Sequence, residues 1–465
     1  MSELTRRIEE SLGRWGTNPV LTELGPRGEI VSVGPEDLQF RIRSMTTILR
    51  QGGIDRDTVV ALFLSNSIDF VVVILALIYL RAVPVFAKKE YRFIELTTIF
   101  RDLSPGAVIA ESSFVPMLSP FASGRGLLVR EGTGRFTVVN PTSSTSKTSG
   151  ISDQWVSINC TYRGTGTLVG SLALEKQYLH GAKVLQAGLQ STPGESLLYP
   201  LPLSHIFTLV GCLFTPLLYG LTGILATTIH PRVILSSFET LGVNHVTAVP
   251  EVYRLLLRSV KEGQKFSSLL TFVSGGSRLE IEEYDELSKA FSVEVLHGYG
   301  LTEFTPIARN SRGESRAGTV GRVCDGVEVK IANPDDHGRG EILVQSESMF
   351  GGYYNRPEET FLAIRDGWFH TGDLGHFDQD HLVFDWETKN TYKMNGVIVD
   401  LEEVRSAVLS ATVARDARVI IEGYSIVALL ETPLAVDIES EEMRVQEVLK
   451  HQIAAYKIPR KIRRA

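Results

Sequence analysis

The sequence predicts an α/β fold, with mainly parallel sheets flanked by helices and divided into more than one domain. Two observations carry this. Short apolar runs ending in Pro or Gly alternate with stretches of helical period, the pattern of strand–helix–strand units. The length, 465 residues, exceeds what one hydrophobic core ordinarily serves.

The elements follow in order. "DTVVALFL" (57–64) is continuously apolar, as a strand buried on both faces requires. "SIDFVVVILALIYLRAV" (67–83) reads as a helix. Its apolar part, Phe70 to Leu80, is closed by Arg81 and falls short of the roughly 20 residues a membrane span needs. A buried core helix is expected there, and no membrane span. "PGAVIAES" (105–112), "SLLYPLPL" (196–203), "VNHVTAVP" (243–250) and "LLTFVSGG" (269–276) read as further strands, and "EVYRLLLRSVKEG" (251–263) as a helix. Sites in sheets of this kind lie beyond the carboxyl ends of the strands.

Composition narrows the function classes. The formal net charge of −7 gives no basis for a nucleic-acid partner. Cys160, Cys212 and Cys324 are scattered and lack metal-ligand spacing, which suits reduced thiols in a reducing compartment. The polar opening "MSELTRRIEE" does not read as a secretory leader, and a cytoplasmic location is expected.

Two small-residue stretches compete as a phosphate-binding loop. "PTSSTSKTSG" (141–150) has no helical period after it and reads as a surface loop. The stretch 163–170, with Gly164, Thr165 and Gly166, lies between a strand-like "QWVSINCTY" (154–162) and a helix-like "SLALEKQYLHGAKVLQAGL" (171–189). Strand before and helix after is the context in which backbone N–H groups and a helix dipole converge on a phosphate. A glycine-rich turn with no ligand is the alternative reading of this stretch alone.

Downstream come "VSGGSRL" (273–279), "HGYGLTE" (297–303), "GEILV" (340–344), "GGYYNRPEET" (351–360), "DGWFHTGDLG" (366–375) and "YKMNGVIVDLEEV" (392–404). In this order they resemble the signature segments of the adenylate-forming superfamily: acyl- and aryl-CoA synthetases, nonribosomal peptide synthetase adenylation domains and luciferases. The resemblance runs from about residue 30 to the end. It implies a large N-terminal domain (1–386) holding the acid and nucleotide sites, and a small, mobile α+β domain (387–465). It also implies a carboxylic acid activated by ATP as an acyl-adenylate, then captured by the thiol of CoA or the phosphopantetheine arm of an acyl carrier protein. The nucleotide is ATP or AMP, with Mg²⁺.

The resemblance assigns roles residue by residue. The loop with Gly164, Thr165 and Gly166 becomes the phosphate loop. Thr302 reaches the α-phosphate, and Glu303 holds the metal, a hard cation suited to oxygen ligands. Tyr299 stacks on adenine beside the backbone of Gly275, Gly276 and Ser277. Asp373 accepts hydrogen bonds from the ribose. His205, in "PLSHIF", borders the acid. Lys389 is the hinge, and Lys393 lies on the face used in the thiol step. The acid pocket draws on "IFTLVGCLFTPLLYG" (206–220), which has no charge, so a fatty or aromatic acid is expected. In the small domain, Asp400 and Glu403 read as a capping box and Ser440 as the cap of a second helix.

Three departures accompany the resemblance. "RGTGTLVG" is one residue shorter than the usual loop and has Val169 where the family has lysine, with Arg163 as a substitute cation. Glu387 stands where the family has a ribose-contacting arginine. The sequence stops at "YKIPRKIRRA", before the family's final lysine motif, so the small domain is expected to be truncated. Two functions are therefore weighed: an AMP-forming acid–thiol ligase, and an acyltransferase or degenerate relative with weak adenylation that moves an acyl group between CoA and a carrier protein.

Overall fold

The computed structural model describes residues 2–141, 154–387, 391–394, 397–423, 425–433 and 436–465. Two large sheets form the body. In the first, Glu294–Tyr299, Thr271–Ser274, His245–Ala248, Ser196–Tyr199, Thr222–Ala226 and Leu21–Leu24 lie side by side and parallel. In the second, Gly126–Arg130, Ala107–Glu111, Val59–Phe63, Val83–Phe86 and Trp155–Tyr162 are parallel, with an antiparallel strand at each edge. The expected mainly parallel α/β architecture is therefore present.

The helix Ile68–Leu80 is buried at all but one position. It shares one core with Leu62 of the second sheet and Leu197 of the first, which explains an apolar surface all round. It ends three residues before the expected boundary. Arg81 turns left-handed (φ 58°), and Val83 pairs with Val59 in the sheet. The ladder competes for those residues and wins.

Residues 328–387 add an antiparallel sheet. After it, Leu401–Ala411 and Ile438–Gln452 pack with the strands Asp416–Glu422, Ser425–Glu431 and Lys461–Arg464 around a core of their own, including Val404, Val408, Val445 and Leu449. Asp400 caps the first of these helices, accepting from the amides of Glu402 and Glu403. The expected capping box does not close, because the Glu403 side chain leaves the helix for other partners. Ser440 is not the second cap. Asp437 is, and it accepts from the Ser440 amide.

Those partners join this C-terminal unit to the body. The Lys457 ammonium, with no exposed surface, donates to Glu95 Oε1 at 2.7 Å, to Tyr162 Oη at 2.7 Å and to Glu403 Oε2 at 2.5 Å. Tyr162 in turn donates to Glu403 Oε1 at 2.6 Å. Burial pushes the Glu403 carboxyl up from the ordinary glutamate range, against the pull of Lys457. Removing one member of such a cluster leaves an uncompensated buried charge.

Candidate active site

The strands Thr271–Ser274 and Glu294–Tyr299 are parallel neighbours, with Ser274 opposite His297. Their carboxyl ends therefore release two loops side by side, one with Gly275 and Gly276 and the other with Gly300, Leu301 and Thr302. His205, after the neighbouring strand Ser196–Tyr199, sits at the start of the short helix Ile206–Thr208. These loops border one pocket that includes His205, Gly275, Gly276, Tyr299 and Thr302 in its lining. Five residues singled out in the sequence thus converge at the sheet edge where α/β proteins place ligands.

Two carboxylates adjoin these lining residues in contact or in sequence, Asp373 and Glu303, both almost fully buried. The Tyr299 hydroxyl donates to Asp373 Oδ2 at 2.6 Å, and the Thr371 hydroxyl accepts from the Asp373 amide. Glu303 accepts from the Tyr353 hydroxyl, and its Oε1 lies 4.0 Å from Nη1 of Arg163. The Arg163 guanidinium also donates to the carbonyl of His370 at 3.0 Å and lies over the Phe369 ring. Its buried Nη1 has no hydrogen-bond partner. Ser277 stands apart: its hydroxyl bonds the Glu251 carboxylate at 3.2 Å.

The loop at 163–170 differs from expectation. It is the turn of a β-hairpin. Trp155–Tyr162 pairs antiparallel with Leu168–Leu174, and the helix begins only at Glu175. The residues read as the start of a helix, Ser171 to Leu174, are strand. The run Leu168–Leu174 is buried throughout, and sheet burial outweighs a helical period that continues into it. No helix N-terminus backs this loop. Gly164 and Gly166 both have φ near 77°, a left-handed turn that glycine adopts without strain. The Gly166 amide is already bonded to a carboxylate, Asp400 Oδ2, at 3.0 Å. Val169 is 2% exposed within the strand. Arg163 supplies a cation beside Glu303.

The other competing stretch, 141–150, lies outside the described residues beyond Pro141, and so does Lys389. Lys393 belongs to the strand Thr391–Met394 and pairs with Ile398 in the facing strand. Ile398 lines the pocket, so this hairpin abuts the pocket.

Several contributors escaped the sequence reading: Tyr353 on Glu303, Ile398 at the pocket, and Arg309, which lines it. A signal for Arg309 existed in the helix Glu175–Leu189. Gly181 and Gly188 lie seven residues apart on one face, although each costs a helix about 1 kcal/mol relative to alanine. A Cβ on Gly181 would meet the Thr305 carbonyl at 2.7 Å. One on Gly188 would meet the Arg309 guanidinium. The pocket is therefore not free of charge, as segment 206–220 alone suggested.

The Glu303 carboxylate is an oxygen ligand of the kind that would hold a hard cation such as magnesium. Among the described residues no cluster of three or more His, Cys, Asp or Glu side chains could hold a metal ion. No helix among the described residues is long and apolar enough to cross a membrane.

Residues 174–354 match the family model described as AMP-binding enzyme. The chain is 24% identical to 4-coumarate–CoA ligase 1 of Arabidopsis thaliana, across 97% of this chain and 87% of that protein. It is 31% identical to luciferin 4-monooxygenase of Luciola mingrelica, across 48% and 42%. In fold it is similar to o-succinylbenzoate CoA synthetase from Bacillus subtilis (TM-score 0.84, 20% identity, 99% of this chain and 94% of that one). The amide bond synthetase McbA from Marinactinospora thermotolerans is also similar (TM-score 0.81, 20% identity, 99% and 95%).

Proposed function

We propose that this chain is a member of the adenylate-forming superfamily of AMP-binding enzymes and, on that premise, an acid–thiol ligase. It activates a carboxylic acid with ATP and passes the acyl group to the thiol of CoA. The observation that carries the reading is the convergence of His205, Gly275, Gly276, Tyr299 and Thr302 on one pocket, with the Asp373 carboxylate bonded to Tyr299 and Glu303 next to Thr302 in the chain.

The adenine lies against Tyr299 and the backbone of Gly275 and Gly276. The ribose hydroxyls donate to Asp373, which the Tyr299 hydroxyl holds in place. The Thr302 hydroxyl donates to the α-phosphate as charge develops there. Glu303 would hold magnesium, which neutralises phosphate charge when bound. Arg163, with one buried nitrogen unsatisfied, takes the place of the loop lysine that Val169 replaces. For the phosphates to reach the Gly166 amide, Asp400 must leave it. The unit carrying Asp400 therefore shifts between the two half-reactions, and Lys393 serves the thiol step.

Val169 is the specific observation behind a second reading. In that reading, a protein with weak adenylation transfers acyl groups between CoA and a carrier protein. The experiment that separates the two compares thioester formed from acid plus ATP with thioester formed from synthetic acyl-adenylate, with CoA as acceptor in both. Turnover from acid and ATP at a comparable rate supports the ligase. Turnover from the acyl-adenylate alone supports the transferase.

A further inference from the structure

The segment from Thr302 to Arg309 runs alongside the helix Glu175–Leu189. Near the helix start, the Gln177 side chain donates to the Thr302 carbonyl at 3.3 Å. Midway, Gly181 faces the Thr305 carbonyl. Near the helix end, Gly188 faces the Arg309 guanidinium, where a Cβ would lie 2.5 Å from Nη1 and 2.8 Å from Cζ. Gln177 and Gly188 are eleven residues apart, about 16 Å along an α-helix. Arg309 therefore lines the pocket at the end remote from Thr302, beside Leu189 and Gly188.

Its setting is unusual for a structural arginine. Among the described residues its guanidinium makes one side-chain bond, from Nη1 to the Ser311 hydroxyl. Nε is shielded from solvent and has no partner, and among the described residues no carboxylate pairs with the guanidinium. An unneutralised cation beside apolar walls is costly unless an anion joins it. The helix also forgoes alanine at position 188 to make room for it. Arginine is well suited to a planar carboxylate, which it grips through two parallel N–H groups.

We infer that Arg309 is a specificity residue that seats a second carboxylate on the acid, so that the substrate is a dicarboxylic acid with its two acidic groups at opposite ends. The inference rests on the ligase reading for the identity of the activated end. The carboxylate near Thr302 is activated, while the other stays ionised against Arg309. The apolar walls between them, Leu185, Val273 and Leu296 among them, accept an aromatic or alkyl spacer.

The test uses the full chain with ATP, magnesium and CoA, and a matched pair of probes, cinnamate and 4-carboxycinnamate. Pyrophosphate release should favour the diacid by at least about tenfold in kcat/KM, the scale of one desolvated charge pair. Arg309→Met should lower kcat/KM for the diacid by about 10²-fold, mainly through KM, and should not lower it for cinnamate. Gly188→Ala, which favours the helix but displaces the guanidinium, should act in the same direction. AMP affinity should stay within about twofold in both variants, which controls for folding. A wild-type preference for cinnamate, or an equal loss for both acids in Arg309→Met, would overturn the inference. If neither acid releases pyrophosphate, the ligase reading fails on its own, and calorimetry of the two acids decides the anion seat. Tighter diacid binding that Arg309→Met abolishes supports it, and equal binding overturns it.

Discussion

The Tyr299 hydroxyl donates to Asp373 Oδ2 at 2.6 Å, across 74 positions of sequence. One side chain lines the pocket and the other is buried with 1% of its surface exposed. The bond fixes the position of the Asp373 carboxylate beside the pocket-lining ring of Tyr299.

Asp373→Ala should weaken AMP binding by about 1–3 kcal/mol, the scale for losing hydrogen bonds to a charged group. Tyr299→Phe keeps the ring and loses only the positioning bond, so its effect should be smaller. Isothermal calorimetry with AMP measures both. Full affinity in Asp373→Ala would refute a ribose contact at that residue.

Glu303→Gln and Arg163→Met should each slow ATP–pyrophosphate exchange by about 10²-fold, the usual scale for losing one preorganised electrostatic group. AMP affinity should change little, because the proposed reading seats the base and ribose against Tyr299 and Asp373 instead. Thioester formation from preformed acyl-adenylate should persist, since pyrophosphate has already gone. A loss of AMP binding equal to the loss of exchange would mean that the two residues serve the fold alone.

Lys457→Met should destabilise the protein by about 3–5 kcal/mol, because it leaves Glu95 and Glu403 buried without their cation. Adding Glu403→Gln should recover part of that loss, as expected for residues in one network. Urea unfolding of the single and double variants measures it. Strict additivity would mean that the short distances around Lys457 carry little energy.

His297 gives a pH dependence. Burial holds its imidazole down to about 4, from 6.5. Between those values the unfolded chain binds a proton that the native protein refuses, so stability rises with pH. The contribution is complete above 6.5 and is lost as pH falls towards 4. At about 1.4 kcal/mol per pH unit it amounts to roughly 3 kcal/mol. Urea unfolding at pH 4, 5, 6 and 7 should show a shallower acid loss in His297→Gln than in the wild type. Parallel profiles would refute the assignment.

The sequence by itself determined the fold class, the buried character of the helix after Ser67, and the membership of the pocket loops. These are local properties: apolar period, chain punctuation, and glycine or hydroxyl residues at strand ends, each visible within a dozen residues. The tertiary structure decided what depends on a partner distant in sequence. Residues 171–174 became strand because Trp155–Tyr162 lay ready to pair with them, whereas their own period continued the helix. Glu403 left its capping role because Lys457 and Tyr162 offered a buried charge-assisted network. Arg309 entered a pocket that its neighbouring segments leave uncharged, because Gly188 on the adjoining helix leaves space for a guanidinium. In each case the deciding energy is a contact between segments, and no window of sequence contains both sides of it.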